Sequence, residues 1–282
     1  MSRLSVLITV LFVGLAVFGI GLLGRKPATP AGQIRQVGTM DHKLIRESSG
    51  IIASRRQSGV FWTHNDQGNK AALFAITREG KSLADFVVNT KNEDWEDIAI
   101  DDAGNLYVAA TGNNDLEKKE VSVLRLKEPD VASRTRKKSK LEVTHAWRLA
   151  YPKAPFNCES LFVWKDCGWL ITKEAEGTPA TIYRFPLDEQ KETLILEQVA
   201  QLKVYSPVTA ADISPDGARL AVLSKEGLYV FQIDGDVASA SRREARVYGS
   251  VPKQAEACCF VADGILLTAE NRRIYLASEK AQ

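Results

Sequence analysis

The chain reads as an all-β protein, a five-bladed β-propeller, and three observations say so. From residue 34 onward the apolar residues fall in short runs rich in Val, Ile, Leu, Tyr and Phe, broken by Gly, Asp, Asn and Pro. No long stretch carries the 3.6-residue period of a helix. The runs also recur as five similar sets of three, the signature of stacked or radial repeats.

Each set opens on a polar or small residue and an apolar run, strand A of a blade. These runs are Ser49 to Ile52, Glu96 to Ile100, Glu159 to Val163, Ala211 to Ser214 and Glu256 to Phe260. A turn follows, most often with Asp and Gly, as in Asp102-Ala103-Gly104 and Asp216-Gly217. Strand B comes next (Val60 to Thr63, Leu106 to Ala110, Trp169 to Thr172, Leu220 to Ser224, Ile265 to Thr268). Strand C completes the set (Leu73 to Ile76, Val121 to Leu126, Ile182 to Phe185, Leu228 to Ile233, Ile274 to Leu276). A fourth strand precedes the following set, but the last set has none before Gln282. Ile34 to Met40 is a spare strand ahead of the first set. Pairing it with the last blade closes the ring and removes an open edge. A six-bladed ring is the alternative and needs a set that the sequence does not supply.

The chain divides into residues 1–23, a hydrophobic segment; 24–33, a linker; and 34–282, the propeller. Leu4 to Leu23 is uncharged and almost wholly apolar, and a helix of about 20 such residues spans a bilayer. A cleaved signal peptide is the rival reading, although its apolar core is usually about 7–15 residues and ends at small residues. This run ends at Arg25-Lys26. Either reading places the propeller outside the cytoplasmic membrane, periplasmic or extracellular. The linker spans at most about 35 Å when extended, and Pro27 and Pro30 stiffen it.

A net charge of +2 gives no reason to expect nucleic acid as a partner. The four cysteines, Cys158, Cys167, Cys258 and Cys259, form no CxxC pair and no zinc spacing. They read as buried free thiols, with a Cys158–Cys167 disulfide as the alternative.

Strand A lines the channel of a propeller, and the D–A and B–C connections share one face, the top. The residues opening strand A are therefore Ser49, Glu96, Glu159, Ala211 and Glu256 around one axis. Three carboxylates brought together need a cation or protons. A ring of hard oxygen donors suits Ca²⁺, with Ser49, Glu96, Glu159 and Glu256 as ligands; hydrated channel acids are the simpler account. Strand alternation aims the next residues, Asp97 and Asp212, away from the axis. The B–C connections add His64, Asn65, Asp66, Asn113, Asn114, Lys173, Glu174 and Glu270 as a ligand-binding set at the same mouth. A lone His64 is also an ordinary hydrogen-bonded residue, and Trp95 fits packing between blades better than stacking on a ligand. The C–D connection of the second blade carries Arg134, Arg136, Lys137, Lys138 and Lys140. It is expected at the bottom, near the tether, where a basic cluster gains about 1 kcal/mol per charge from anionic headgroups; a solvated loop is the alternative.

Several motifs make the chain similar to a group of bacterial secreted propellers of undefined function: Glu47-Ser48-Ser49-Gly50, Trp62-Thr63-His64-Asn65-Asp66, Asp94-Trp95-Glu96-Asp97-Ile98-Ala99, Glu159-Ser160-Leu161, Thr172-Lys173-Glu174 and Asp212-Ile213-Ser214-Pro215-Asp216-Gly217. The layout more remotely resembles the calcium-activated nucleotidases (apyrases). That resemblance implies five blades, a central Ca²⁺ and a Ser, Glu, Glu, Ser, Glu series, which Ser49, Glu96, Glu159 and Glu256 match and Ala211 does not. The phosphate-handling motifs of that family are absent, as are the GxSxG, P-loop and HExxH signatures. Two functions follow as expectations: a binding module for a soluble ligand or protein with a central Ca²⁺, or a metal-dependent hydrolase of a phosphoester or lactone.

Overall fold

A computed structural model describes residues 32–132, 140–188 and 191–278. It forms five sheets in a ring, each built on four antiparallel strands, a five-bladed β-propeller. The hydrophobic segment 1–23, most of the linker, and Arg134, Arg136, Lys137 and Lys138 lie outside the described residues. No helix among the described residues is long and apolar enough to cross a membrane.

Blade 1 is β2 to β5 (Ser48–Ala53, Phe61–Asn65, Ala72–Ile76, Ser82–Val87), from the axis outward. Blade 2 is β6 to β9 (Asp97–Ile100, Asn105–Ala110, Glu120–Lys127, Val143–Ala150). Blade 3 is β10, β11, β12 and β14 (Cys158–Trp164, Cys167–Thr172, Thr181–Pro186, Glu197–Gln201). Blade 4 is β15 to β18 (Val208–Ile213, Arg219–Ser224, Gly227–Gln232, Arg246–Gly249), with a short 3-10 helix, Val237–Arg242, before its last strand. Blade 5 is β19 to β21 (Ala255–Val261, Gly264–Ala269, Arg273–Ser278), and β1 (Ile34–Thr39) is its outer strand. β1 runs antiparallel to β21, with Ile34 opposite Ala277 and Thr39 opposite Arg273. Its first residue is at the end of the blade where Gly264 opposes Ser278, beside the A–B turn. The chain thus enters the propeller at the bottom.

One strand has no counterpart in the repeat. β13 (Thr193–Ile195) leaves blade 3 and adds to blade 2, parallel to β9. The inner strands are buried on both faces, and the blades interlock through large side chains such as Trp62, Trp95, Trp147, Phe162 and Phe231. All four cysteines are free thiols.

Hydroxyls link the blades near the axis. Ser49 Oγ donates to the Glu96 carbonyl at 2.9 Å, Thr111 Oγ1 to that of Cys158 at 2.8 Å, and Thr209 Oγ1 to that of Ala255 at 3.1 Å. Ser48 Oγ and Thr268 Oγ1 join blades 1 and 5 at 2.9 Å. The first three bonds each satisfy a carbonyl on the inner edge of strand A, where no further strand can pair.

Candidate functional site

Bulges set the site. The pairing of strand A with strand B slips at its top end in blades 1, 4 and 5, skipping Ser49, Thr209 and Glu256, and in blade 3 between Cys158 and Leu161, at Glu159. In blade 2 the Glu96 amide donates to the Ala109 carbonyl, while Asp97 opposes the same Ala109, so two residues again face one. A bulge re-aims the extra side chain; here it turns Ser49, Glu96, Glu159 and Glu256 into the mouth, while Thr209 bonds the Ala255 carbonyl. The register corrects one assignment: the fourth blade contributes Thr209, and Ala211 pairs lower down, with Val222.

The same bulge corrects the expectation that Asp97 points away from the axis, because alternation fails across it. Asp97 is fully buried, and its Oδ2 accepts from the Leu161 amide at 2.8 Å and the Ala211 amide at 3.4 Å. It therefore reaches across the channel to blades 3 and 4. Asp212 does the same lower down, accepting from the Phe260 amide of blade 5 at 2.7 Å. Both carboxylates take N–H groups that the inner edge leaves free. Burial raises the pKa of each, that of Asp212 to about 7.

At the mouth, Ser49, Glu96, Glu159 and Glu256 line one cavity of about 170 Å³ with Glu47, Ser48, Asp66, Asn114, Lys173, Lys225 and Glu270. Six carboxylates thus face two ammonium groups. The Lys173 ammonium donates to Glu159 Oε1, and Asn157 Nδ2 adds a longer bond to the same oxygen at 3.4 Å. Burial raises the pKa of Glu159 against the pull of Lys173. Burial also works against the Lys173 ammonium, but Glu159, Glu256 and Glu96 outweigh it and raise its pKa. Glu96 is 4% exposed, and its carboxyl receives no hydrogen bond among the described residues. Burial, then Glu159, Asp66 and Asp94, push it up to about 10. Burial and Glu159 push Glu256 up to about 7. Asp66 rises to about 6 through burial, despite the Gln67 amide that it accepts from.

As cation ligands these groups differ in what already holds them. Lys173 pairs with Glu159, and the Ser49 hydroxyl donates to the Glu96 carbonyl while its lone pairs stay free. Asp66, Asp94 and Glu96 each offer a carboxylate oxygen within 4.8 Å of the others, and Asp94 is itself paired with Lys118.

Other expected ligand-binding residues serve the scaffold. His64 is fully buried, its Nδ1 donating to the Asn65 carbonyl at 3.1 Å and its ring edge-on to Trp95. Loss of hydration lowers its pKa to about 4, so it is a neutral imidazole away from the mouth. Asn65 accepts from the amides of Arg46 and Glu47 and donates to the Leu44 carbonyl. Asn113 pins its own loop, accepting from the Lys118 amide and donating to Tyr151 Oη. Glu174 is half-buried beside the mouth but does not line it. Asn114, Lys173 and Glu270 do line it, as Asp66 does. Trp95 is buried packing, with no face open to a ligand. Lys140 lies on the flank between blades 1 and 2, where its ammonium donates to Asn89 Oδ1 at 3.4 Å.

Sequence reasoning passed over Asp94 and Lys118 as site residues. Asp94 stands in the quoted Asp94-Trp95-Glu96 motif, but nothing local says that its side chain returns to the mouth. Two broader basins, of about 720 and 700 Å³, open at the A–B turns on the opposite face and share Arg55. Their charges are mixed, with Arg78 paired to Asp263 in the first.

No protein-family model and no curated protein matches this sequence. Among solved structures the chain is similar to a gluconolactonase from Xanthomonas campestris, at 12% identity over 89% of this chain and 99% of the other, with a TM-score of 0.47. It is similar also to a proposed gluconolactonase, at 13% identity over 88% and 92% with a TM-score of 0.46. A nidogen/laminin complex follows at 11% over 79% and 73%, TM-score 0.43. Likeness at this level transfers no activity to this chain.

Proposed function

We propose that the protein is a binding propeller whose top mouth takes a small polar ligand or a partner's side chain with the help of one divalent cation. The observation that carries this reading is the uncompensated charge of the mouth. Six carboxylates and two ammonium groups share about 170 Å³. Carboxylates held this close stay ionised only if a cation joins them; otherwise they keep protons. All the donors are oxygens, which suits Ca²⁺. The ion would be held by acids of the mouth, leaving Lys173 and Lys225 to meet an anionic or hydroxylated ligand.

The hydrophobic segment 1–23 supports tethering to a membrane, with the propeller on the outer side. A chain that enters at the bottom turns the mouth away from the bilayer. The basic segment around Arg134, Arg136, Lys137, Lys138 and Lys140 then supplies a second, electrostatic contact with anionic lipid.

A hydrolase of lactones or phosphoesters is the second reading, and Glu256 favours it. A carboxyl with a pKa of about 7 is poised as a general base at neutral pH, and Lys173 is close enough to influence it. Calorimetry of the full-length protein with Ca²⁺ and Mg²⁺, beside a turnover panel of lactones, nucleotides and phosphoesters, separates the readings. Ca²⁺ heat without turnover supports the binding module, and turnover lost in Glu256→Gln supports the hydrolase. Neither heat nor turnover sinks both.

A further inference from the structure

We infer that a single hard divalent cation sits off the axis, at the seam of blades 1 and 2, held by Asp66, Asp94 and Glu96 beneath Gly112. This deepens the reading of the mouth as a cation-dependent site and rests on it.

Three independent features converge. The first is spacing. The three donor oxygens lie within 4.8 Å of one another, close enough for one ion to reach all three. All three are carboxylate oxygens, the donors that hard divalent cations take.

The second is an unmet valence. Asp94 is 7% exposed, and its Oδ1 is buried with no hydrogen-bond partner among the described residues. Its Oδ2 is held by Lys118 Nζ at 3.0 Å. That lysine is itself fixed on the Gly112 carbonyl at 2.6 Å, so the carboxylate is oriented from one side and left open on the other. Glu96 is 4% exposed and receives no hydrogen bond to its carboxyl among the described residues, although it lines the cavity. Native proteins seldom bury acceptors this way without a ligand, because each costs about 1–3 kcal/mol, and more when charged.

The third is a cradle. A Cβ on Gly112 would stand 2.2 Å from Glu96 Oε1 and 2.4 Å from Asp94 Oδ2. Gly112 does not have a left-handed backbone, so its small size is required by the carboxylates and not by its own conformation. Asp94 does pay for its place: its φ of 80° is left-handed, a conformation that Asp and Asn tolerate best.

The test titrates Ca²⁺ and Tb³⁺ into the full-length protein and its variants. Trp95, between two of the ligands in sequence, serves as the donor for sensitised Tb³⁺ emission. Wild type should bind one ion with Trp-sensitised emission that Ca²⁺ displaces. Asp94→Asn, which keeps the left-handed backbone, and Gly112→Ala, which fills the cradle, should each weaken Ca²⁺ roughly tenfold or more. Glu256→Gln should change affinity less than about threefold, because its carboxylate lies outside the cluster. Urea midpoints establish that each variant is folded. If Glu256→Gln and Glu159→Gln abolish binding while Asp94→Asn and Gly112→Ala keep it, the ion is axial; the off-axis site is then wrong and the cation reading stands. If wild type binds no ion, both fail.

Discussion

The Lys173 ammonium rests on the Glu159 carboxylate at the centre of the mouth, while the carboxyl of Glu96, one blade away, receives no hydrogen bond among the described residues. The contrast divides the axial acids into one that is paired and one that is not.

Removing Lys173 should expose that division. Lys173→Met leaves Glu159 buried and unpaired, and breaking a buried pair costs about 3–5 kcal/mol. Lys173 keeps 19% of its side-chain exposure, so the expected loss is nearer 2–3 kcal/mol at pH 8. Burial raises the Glu159 pKa, so toward pH 5 the carboxyl takes up a proton more readily, needs its partner less, and the loss should shrink. Urea denaturation at the two pH values measures it; an equal loss at both would mean that the pair is not what stabilises this region.

Asp97 should behave as a tie between blades. Asp97→Ala leaves the Leu161 and Ala211 amides without an acceptor, at about 1–3 kcal/mol for a buried donor. Asp97→Asn keeps one acceptor oxygen and should lose less. Thermal melts should rank wild type above Asn above Ala. A reversed order would show that burial of the charge outweighs its hydrogen bonds.

His64 should make the fold sensitive to acid. Its folded pKa is lowered to about 4, against about 6.5 in the unfolded chain. Between these values the unfolded chain binds a proton that the folded one refuses. Its contribution is therefore fully present above pH 6.5 and is lost as the pH falls toward 4, by about 3 kcal/mol in all. In His64→Gln the stability against pH should be flatter over that window, whatever the absolute loss from packing. Parallel profiles for the two proteins would contradict the neutral, buried imidazole.

Closure of the ring by β1 predicts an asymmetry between truncations. Removing residues 1–31 keeps β1 and should leave a cooperative, monomeric propeller. Removing residues 1–41 uncovers the hydrogen-bonding edge of β21 and should give aggregation on a sizing column. Equal behaviour of the two truncations would remove β1 from the account.

The five A–B–C sets were legible because their signals are local: alternation, β-branched runs and Asp-Gly turns. The closing strand was legible by counting, since Ile34 to Met40 has no other partner. The parallel addition of β13 was not, because three residues carry no sign of which blade they will join. Bulges account for the errors at the site. The one in blade 2 lets Glu96 and Asp97 both turn inward, against strict alternation, and the one in blade 4 substitutes Thr209 for Ala211. Residues expected at the mouth on loop position alone divide by what their side chains bond. Asp66, Asn114, Lys173 and Glu270 face the cavity, whereas His64, Asn65 and Asn113 are consumed by backbone and scaffold contacts. The Asp94 and Gly112 approach depends on one loop folding back on another, which no short motif encodes.

Anomalous diffraction from crystals of the full-length protein grown with Mn²⁺, a divalent ion for oxygen sites, tests the central claim most directly. The account predicts one strong peak in the top mouth, within bonding distance of Asp66, Asp94 and Glu96. A mouth without a peak at saturating Mn²⁺ and Ca²⁺, with Glu96 and its neighbours unmoved, would contradict it.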